Sequence, residues 1–261
     1  MLFYFDIVVF MSVAVEVSKL TKKYGKNTVV NDVSFSVKHG EIFGIIGPNG
    51  AGKTTTLEMI EALRPIDGGE VRVEGIDVAE KPQEIKALIG VQPQTAAFEE
   101  KIKLTETIEF FASIYGQKVD PLKYLEKVKL ADKAKSYPEQ LSGGQRQRFS
   151  IAAALVHGPK IFFLDEPTTG LDPQARRNLW NLIREIRDSG VTVIMTTHYM
   201  EEAEMLCDRV AVMDNGRIIA LDTPDELIKN LLKRGFKKAK HVEQANLEDV
   251  FIDLTGKDLR D

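Results

Sequence analysis

The chain has 261 residues, 43% of them hydrophobic and 28% charged, enough for one good-sized α/β core and a smaller appendage. A formal net charge of −4 with a pI near 5.7 argues against a general nucleic-acid binder, which would carry a basic footprint, so no nucleic-acid partner is expected. One cysteine, Cys207, cannot close an internal disulfide, and no apolar run approaches the roughly 18 residues that span a bilayer; the expectation is a cytoplasmic protein that is not itself a channel or carrier.

Residues 1–12 form an apolar N-terminal extension. MLFYFDIVVFM is interrupted by Asp6 and lacks both a basic n-region and a small-residue cleavage site. A mis-assigned start, with Met11 the true one, is expected ahead of an extra strand or an interfacial anchor, because clean strand alternation begins directly after Met11. Val13 to Leu20 and Val29 to Val37 alternate apolar and polar residues, as paired strands do, with TKKYGKN connecting them. Tyr24, in that connection, has a ring able to stack on a purine, adenine or guanine alike; a half-exposed loop tyrosine is the plainer alternative.

The apolar run EIFGII then leads into GPNGAGKTT, comprising Gly47, Pro48, Asn49, Gly50, Ala51, Gly52, Lys53, Thr54 and Thr55, and on into a helix-forming run. A strand, a glycine-rich turn and a helix in that order are the context in which GxxxxGK[ST] binds phosphate. Glycines let the backbone turn its N–H groups inward around an anion. Lys53 adds a point charge, Thr54 offers a hydroxyl to Mg²⁺, and the helix N-terminus favours negative charge. Downstream, GGEVRVEGIDV predicts a short strand and turn, and PQEIKALIGVQPQ a helix returning to a strand that ends near Gln94. The Gln94 amide could reach a metal or water beside the phosphates, although loop chemistry is its commoner use.

From 95 to 157 the pattern turns helical, in LTETIEFFASIYG, DPLKYLEKVKL and GQRQRFSIAAALVHG. This predicts a helical subdomain inserted into an α/β core that comprises 13–94 and 158–222. The subdomain ends in LSGGQRQR, where Ser142, Gly143 and Gly144 open a second helix start suited to phosphate; a glycine-initiated helix with a basic face is the alternative. IFFLDEP is an apolar strand ending in two acids, costly to bury unless something binds them. Asp165 suits a Mg²⁺ partner, and Glu166 the base that orients an attacking water. Asp172 and Pro173 cap a long helix with Leu179, Ile183 and Ile186 at helical spacing, and Trp180 reads as packing. VTVIMTTH, another buried strand, ends at His198. In open parallel sheets ligands sit outside the strands' carboxyl ends, so Lys53, Asp165, Glu166 and His198 are expected to converge, with His198 on the terminal phosphate.

The remainder is a hairpin turning at Asn215 and Gly216 and then a helical tail over 223–261. The tail begins at a Thr223, Pro224 and Glu226 cap and carries a basic run, Lys229 to Lys240, that reads as a solvated face. A short amphipathic helix over 247–256 closes it. The predicted fold class is α/β: a P-loop NTPase core with a mostly parallel sheet, an N-terminal antiparallel β part and the inserted helical subdomain.

Together, GPNGAGKTT, LSGGQ at Leu141 to Gln145 and FFLDE resemble the ATP-binding subunits of ABC transporters over nearly all of 13–256, and the closing LEDVFIDLTG is similar to the ends of export-type members. The resemblance implies ATP and Mg²⁺ as cofactors, Tyr24 as the adenine-stacking aromatic, Gln94 in the Q-loop, TGLD ending at Asp172 as the D-loop, and His198 as the switch histidine. It assigns Mg²⁺ to Thr54, Gln94 and Asp165, and catalysis to Glu166, His198 and Lys53. It implies a head-to-tail homodimer, or paralogous heterodimer, with two ATP sandwiched between one chain's phosphate loop and the other's Ser142, Gly143, Gly144 and Gln145. The implied role is a peripheral ATPase on the inner face of the cell membrane, powering a separate permease and moving substrate outward. A soluble ATPase of iron–sulfur assembly or translation is the alternative; a small-molecule kinase has no use for LSGGQ.

Overall fold

The computed structural model describes residues 12–94 and 97–236; the expectations for the extreme N-terminus, for the basic run beyond 236 and for a helix over 247–256 fall outside them. The two N-terminal strands are longer than their alternation predicts. β1 (Val13–Tyr24) and β2 (Asn27–Lys38) run antiparallel and leave only Gly25 and Lys26 between them. Irregularities in register between Val17 and Lys23 break the period-two pattern without ending the pairing, since a bulge inserts a residue and the ladder resumes. Tyr24 therefore closes a strand and is not part of a loop.

β3 (Ile42–Ile46) leads into α1 (Lys53–Ile60), followed by β4 (Gly68–Val73), β5 (Ile76–Asp77), α2 (Pro82–Leu88) and β6 (Ile89–Gln92). The helical stretch contributes α3 (Leu104–Ile114), α4 (Pro121–Lys127) and α5 (Gly143–Ala154). Asp120 caps α4 by accepting from Leu122 N at 3.1 Å. β7 (Ile161–Asp165), α6 (Pro173–Asp188), β8 (Thr192–Thr197), α7 (Met200–Leu206), β9 (Arg209–Asp214) and β10 (Arg217–Asp222) follow.

These strands build two sheets. An antiparallel sheet has the order β2-β1-β4-β5, and a six-stranded sheet the order β10-β9-β3-β8-β7-β6, parallel except for its terminal hairpin. Side chains alternate across a strand, so β3 sends Ile42 and Ile46 into one core and Phe43 and Ile45 into the other. The first core gathers Leu104, Ile108, Phe149, Leu179 and Ile183 from the helices. The second gathers Val15, Leu57, Ile60, Val71 and Ile85, from the antiparallel sheet, α1 and α2. Both faces of the parallel sheet are thus covered, as runs such as IFFLD require. β3, β7 and β8 lie side by side, and the ends of β3, β7 and β8 carry the phosphate loop, Asp165 with Glu166, and His198 respectively.

The chain divides into one compact unit through Leu227 and a second from Ile228, slightly downstream of the boundary at 223 expected from sequence. α8 (Pro224–Lys233) starts where Thr223 predicts, with Glu226 N donating to Thr223 Oγ1 at 3.2 Å. The described part of the second unit, 228–236, is exposed.

Candidate functional site

The loop between β3 and α1 borders a cavity of about 340 Å³, lined by Asn49, Gly50, Gly52, Lys53, Thr54, Thr55, Gln94, Glu166 and Val29. The loop's shape is enforced from outside. Gly52 has φ +99°, and a Cβ there would meet Val29 O at 2.6 Å, so no other residue fits. A Cβ on Gly47 would strike Met213 O at 2.1 Å. The hairpin turn between β9 and β10 completes the clamp: Gly216 N donates to Ala51 O at 3.0 Å, and Asn31 N donates to Gly216 O at 2.8 Å.

Lys53 is 4% exposed. Its Nζ donates to Gly47 O at 3.0 Å and Pro48 O at 3.1 Å, and pairs with Glu166 Oε1 at 3.3 Å. Asp165 ends β7 opposite Thr196 of β8; the Thr196 hydroxyl donates to Asp165 Oδ1 and accepts from Glu166 N at 3.0 Å. From α1, the Thr54 hydroxyl reaches both Asp165 oxygens at 3.0 and 3.2 Å. Glu166 holds a left-handed backbone with φ +46°, an unfavourable conformation for a side chain with a Cβ, of the kind found at functional sites. Around its Oε2 stand His198 Nδ1 at 3.1 Å, Gln94 Nε2 at 3.4 Å and Thr169 Oγ1 at 3.4 Å. Lys53, Asp165, Glu166 and His198 are therefore brought together as the topology predicts, and Gln94 joins them at Glu166 Oε2.

A third acid lies near enough to Asp165 to feel its charge. Glu61, at the C-terminal end of α1, is 3% exposed. Burial, reinforced by the charges of Asp165 and Glu58, pushes its carboxyl up to about 8.

Other expected residues stand apart from the cavity. Tyr24 is 43% exposed, with the Arg64 guanidinium 5.6 Å and the Lys22 ammonium 5.8 Å from its ring centre. Ser142 caps α5, its hydroxyl accepting from Gln145 N at 3.3 Å while Gln145 Oε1 accepts from Ser142 N at 2.9 Å. Ser142 and Gly143 are exposed, and Gly144 packs so near α6 that a Cβ would lie 2.9 Å from Ala175 Cβ. Asp172 caps α6 by accepting from Ala175 N at 2.8 Å. Sequence reasoning missed Val29 and Thr196 and, although it placed Thr169 in the D-loop, did not foresee its bond to Glu166. Thr196 is one of three threonines in its strand and its partners follow only from the register of β7 against β8; nothing in the sequence marks Val29.

A family model described as ABC transporter matches residues 30–169, more than half the chain, and contains the phosphate loop, Gln94, Ser142 to Gln145, Asp165 and Glu166. The chain belongs to the ABC transporter family. Among its ABC relatives, the linearmycin resistance ATP-binding protein of Bacillus subtilis (strain 168) is 41% identical, over 83% of this chain and 71% of that protein. The Nod factor export ATP-binding protein I of Burkholderia orbicola (strain AU 1054) is 37% identical, over 96% of this chain and 100% of that protein. Among solved structures, the ATP-binding subunit of an ABC transporter superposes with a TM-score of 0.76 at 30% identity, over 93% of this chain and 99% of that one. A dimeric ABC cassette in a post-hydrolysis state with ADP and Pi gives 0.72 at 27% identity, over 80% and 98%. As a member of this family the chain is an ATP-binding ATPase with the P-loop α/β fold.

Proposed function

We propose that this chain hydrolyses ATP to drive export through a separate membrane permease, as one half of a head-to-tail dimer. The observation that carries the reading is the contrast within a single chain between a phosphate cradle built around the buried Lys53 and a self-capped, exposed LSGGQ helix start that does not line it. Export is favoured over a scaffold role in iron–sulfur assembly or translation by the relatives' names, which speak of export and resistance. The chain would then lie in the cytoplasm, peripheral on the inner face of the cell membrane.

The residues fit Mg²⁺. A threonine hydroxyl and a single carboxylate, already in contact at Thr54 and Asp165, with the Gln94 amide nearby, form the all-oxygen set that this ion takes together with substrate phosphates. When bound, the ion would neutralise charge on the β and γ phosphates. Lys53 and the loop N–H groups would hold those phosphates, with Gly47 to Thr55 wrapping the chain of oxygens. Glu166 would orient water and accept its proton as the water oxygen attacks the γ phosphorus and the β–γ bridge breaks. His198 would steady the γ phosphate, and Tyr24 would stack on adenine. Ser142, Gly143, Gly144 and Gln145 of a second chain would cover the outer side of the nucleotide, with Asp172 near the seam.

The permease would dock beside Gln94. In the segment that follows and in α3, a cavity of about 340 Å³ is lined by Phe98, Ile102, Phe110 and Phe111 among others, and Phe110 is 58% exposed, a groove suited to the apolar face of a helix. The test is co-purification of tagged Glu166→Gln chain with ATP from native membranes. Recovery of a polytopic membrane protein is expected, and recovery of only soluble partners would overturn the reading.

A further inference from the structure

One buried carboxylate has no part in the scheme above. Glu202, in the first turn of α7, has 0% exposure, and its Oε1 accepts from the Trp180 indole N–H of α6 at 3.0 Å. Glu202 Oε2, Thr168 Oγ1 and Arg176 Nε are all buried and have no hydrogen-bond partner among the described residues. Buried polar atoms are nearly always paired, and the Thr168 hydroxyl and the Arg176 guanidinium both lie close enough to act on the Glu202 carboxyl, so the three form one buried polar cluster. Burial pushes the Glu202 carboxyl up, opposed by the nearby Thr197 hydroxyl, the Trp180 indole, the Thr168 hydroxyl and the Arg176 guanidinium.

His198 lies between the end of β8 and the start of α7. The Arg176 guanidinium lies over the Tyr199 ring at 4.6 Å, and the Tyr199 ring lies 4.1 Å from that of His198, tilted by 39°. His198 Nδ1 in turn meets Glu166 Oε2 at 3.1 Å. This stack places the histidine only while the starts of α6 and α7 keep their spacing. At the far end of α7 an exposed bond from Arg184 to Met205 O ties the two helices; at the near end the tie is the buried Glu202–Trp180 bond. Thr168, beside Glu202, belongs to the loop whose Thr169 bonds to Glu166.

We propose that Glu202 is a positioning residue for the hydrolytic step: by tying α7 to Trp180, it holds His198 in reactive register against Glu166 without touching substrate. The proposal rests on the roles given above to Glu166 and His198. Glu202→Ala should lower kcat by about ten- to a hundredfold, the scale of a small misplacement at the reacting centre, with KM for ATP within about twofold of native. Glu202→Gln, which keeps the acceptor for Trp180 and offers an amide to Thr168, should stay near native turnover. In a His198→Ala background, Glu202→Ala should bring no further loss, because residues acting through one another are not additive.

Any of three results would overturn the proposal: native turnover in Glu202→Ala, a Glu202→Gln chain as slow as Glu202→Ala, or losses that multiply in the double variant. A His198→Ala chain with native turnover would instead refute the role of His198 itself, and the proposal with it. Should Glu202→Ala fail to fold, Trp180→Phe removes the same bond from the other side, and the cycle with His198→Ala is read in the same way.

Discussion

Two helix starts in this molecule are chemically suited to phosphate, and they are built in opposite ways. At α1 the loop is pressed into shape by Val29, Met213 and Gly216, Lys53 is buried, and its ammonium is surrounded by acceptors. At α5 the serine is exposed and satisfies its own helix through Gln145. The first start is an open cavity with a buried lysine at its base, which a ligand enters. The second is a surface already at peace with water, and it gains only if a ligand is brought to it. A site assembled from the two needs rigidity on one side and accessibility on the other, and a single chain supplies both kinds of half.

The comparison breaks most sharply at Glu166. Glu166→Gln should cut turnover by roughly 10² to 10⁴, the range for loss of a general base, while ATP binding persists and an ATP-bound dimer accumulates on size exclusion. Native hydrolysis would remove Glu166 from its role. Ser142→Arg attacks the other half: turnover should fall by about a hundredfold or more because a charged side chain would obstruct the proposed contact with a second chain's nucleotide. ATP affinity of the monomer, measured by calorimetry, should be unchanged; a parallel loss of affinity would mean that Ser142 serves its own chain's loop.

Tyr24→Ala sharpens where the inner half ends. Loss of a base stack, about 1–3 kcal/mol, should weaken ATP binding by roughly tenfold and leave inorganic tripolyphosphate binding unchanged. Equal weakening of both would move Tyr24 out of the base subsite.

Glu61 tests whether the inner half is held at an energetic disadvantage. Its folded-state pKa, raised to about 8, exceeds the unfolded value, so the native state holds a proton that the unfolded chain releases. Stability should therefore fall as pH rises from about 4.5 towards 8. Glu61→Gln should raise Tm at about pH 9, change it little at about pH 5 and flatten the profile between, as measured by calorimetry without nucleotide or metal. An unchanged slope would show that the carboxyl is not a source of the pH dependence.

Much of the inner site was legible because its residues sit at strand ends. GPNGAGKTT, IFFLDE and VTVIMTTH each place their polar residues just past an apolar run, and a parallel sheet brings such ends together. The pairings among them were not legible. That Thr196 serves both Asp165 and Glu166 depends on β7 and β8 being neighbours in register, which no local pattern states. Tyr24 was displaced from loop to strand because bulges hide the period of a strand that remains paired. Glu202 and Trp180 each look locally like ordinary helix residues; only the meeting of α6 and α7 turns them into a buried pair.

The clamp on the phosphate loop also bears on how the protein is made. Gly47 to Thr55 leave the ribosome early, yet the groups that fix the loop include Met213 O and Gly216 N. From residue 55 to residue 216 is 161 residues of further synthesis, about 8–32 s at the usual elongation rates of roughly 5–20 residues per second. Through that interval the nascent chain carries the whole nucleotide motif without the hairpin that locks it. Tight nucleotide capture thus reports a finished core, and a ribosome-bound chain arrested before β9 should hold ATP poorly although its P-loop sequence is complete.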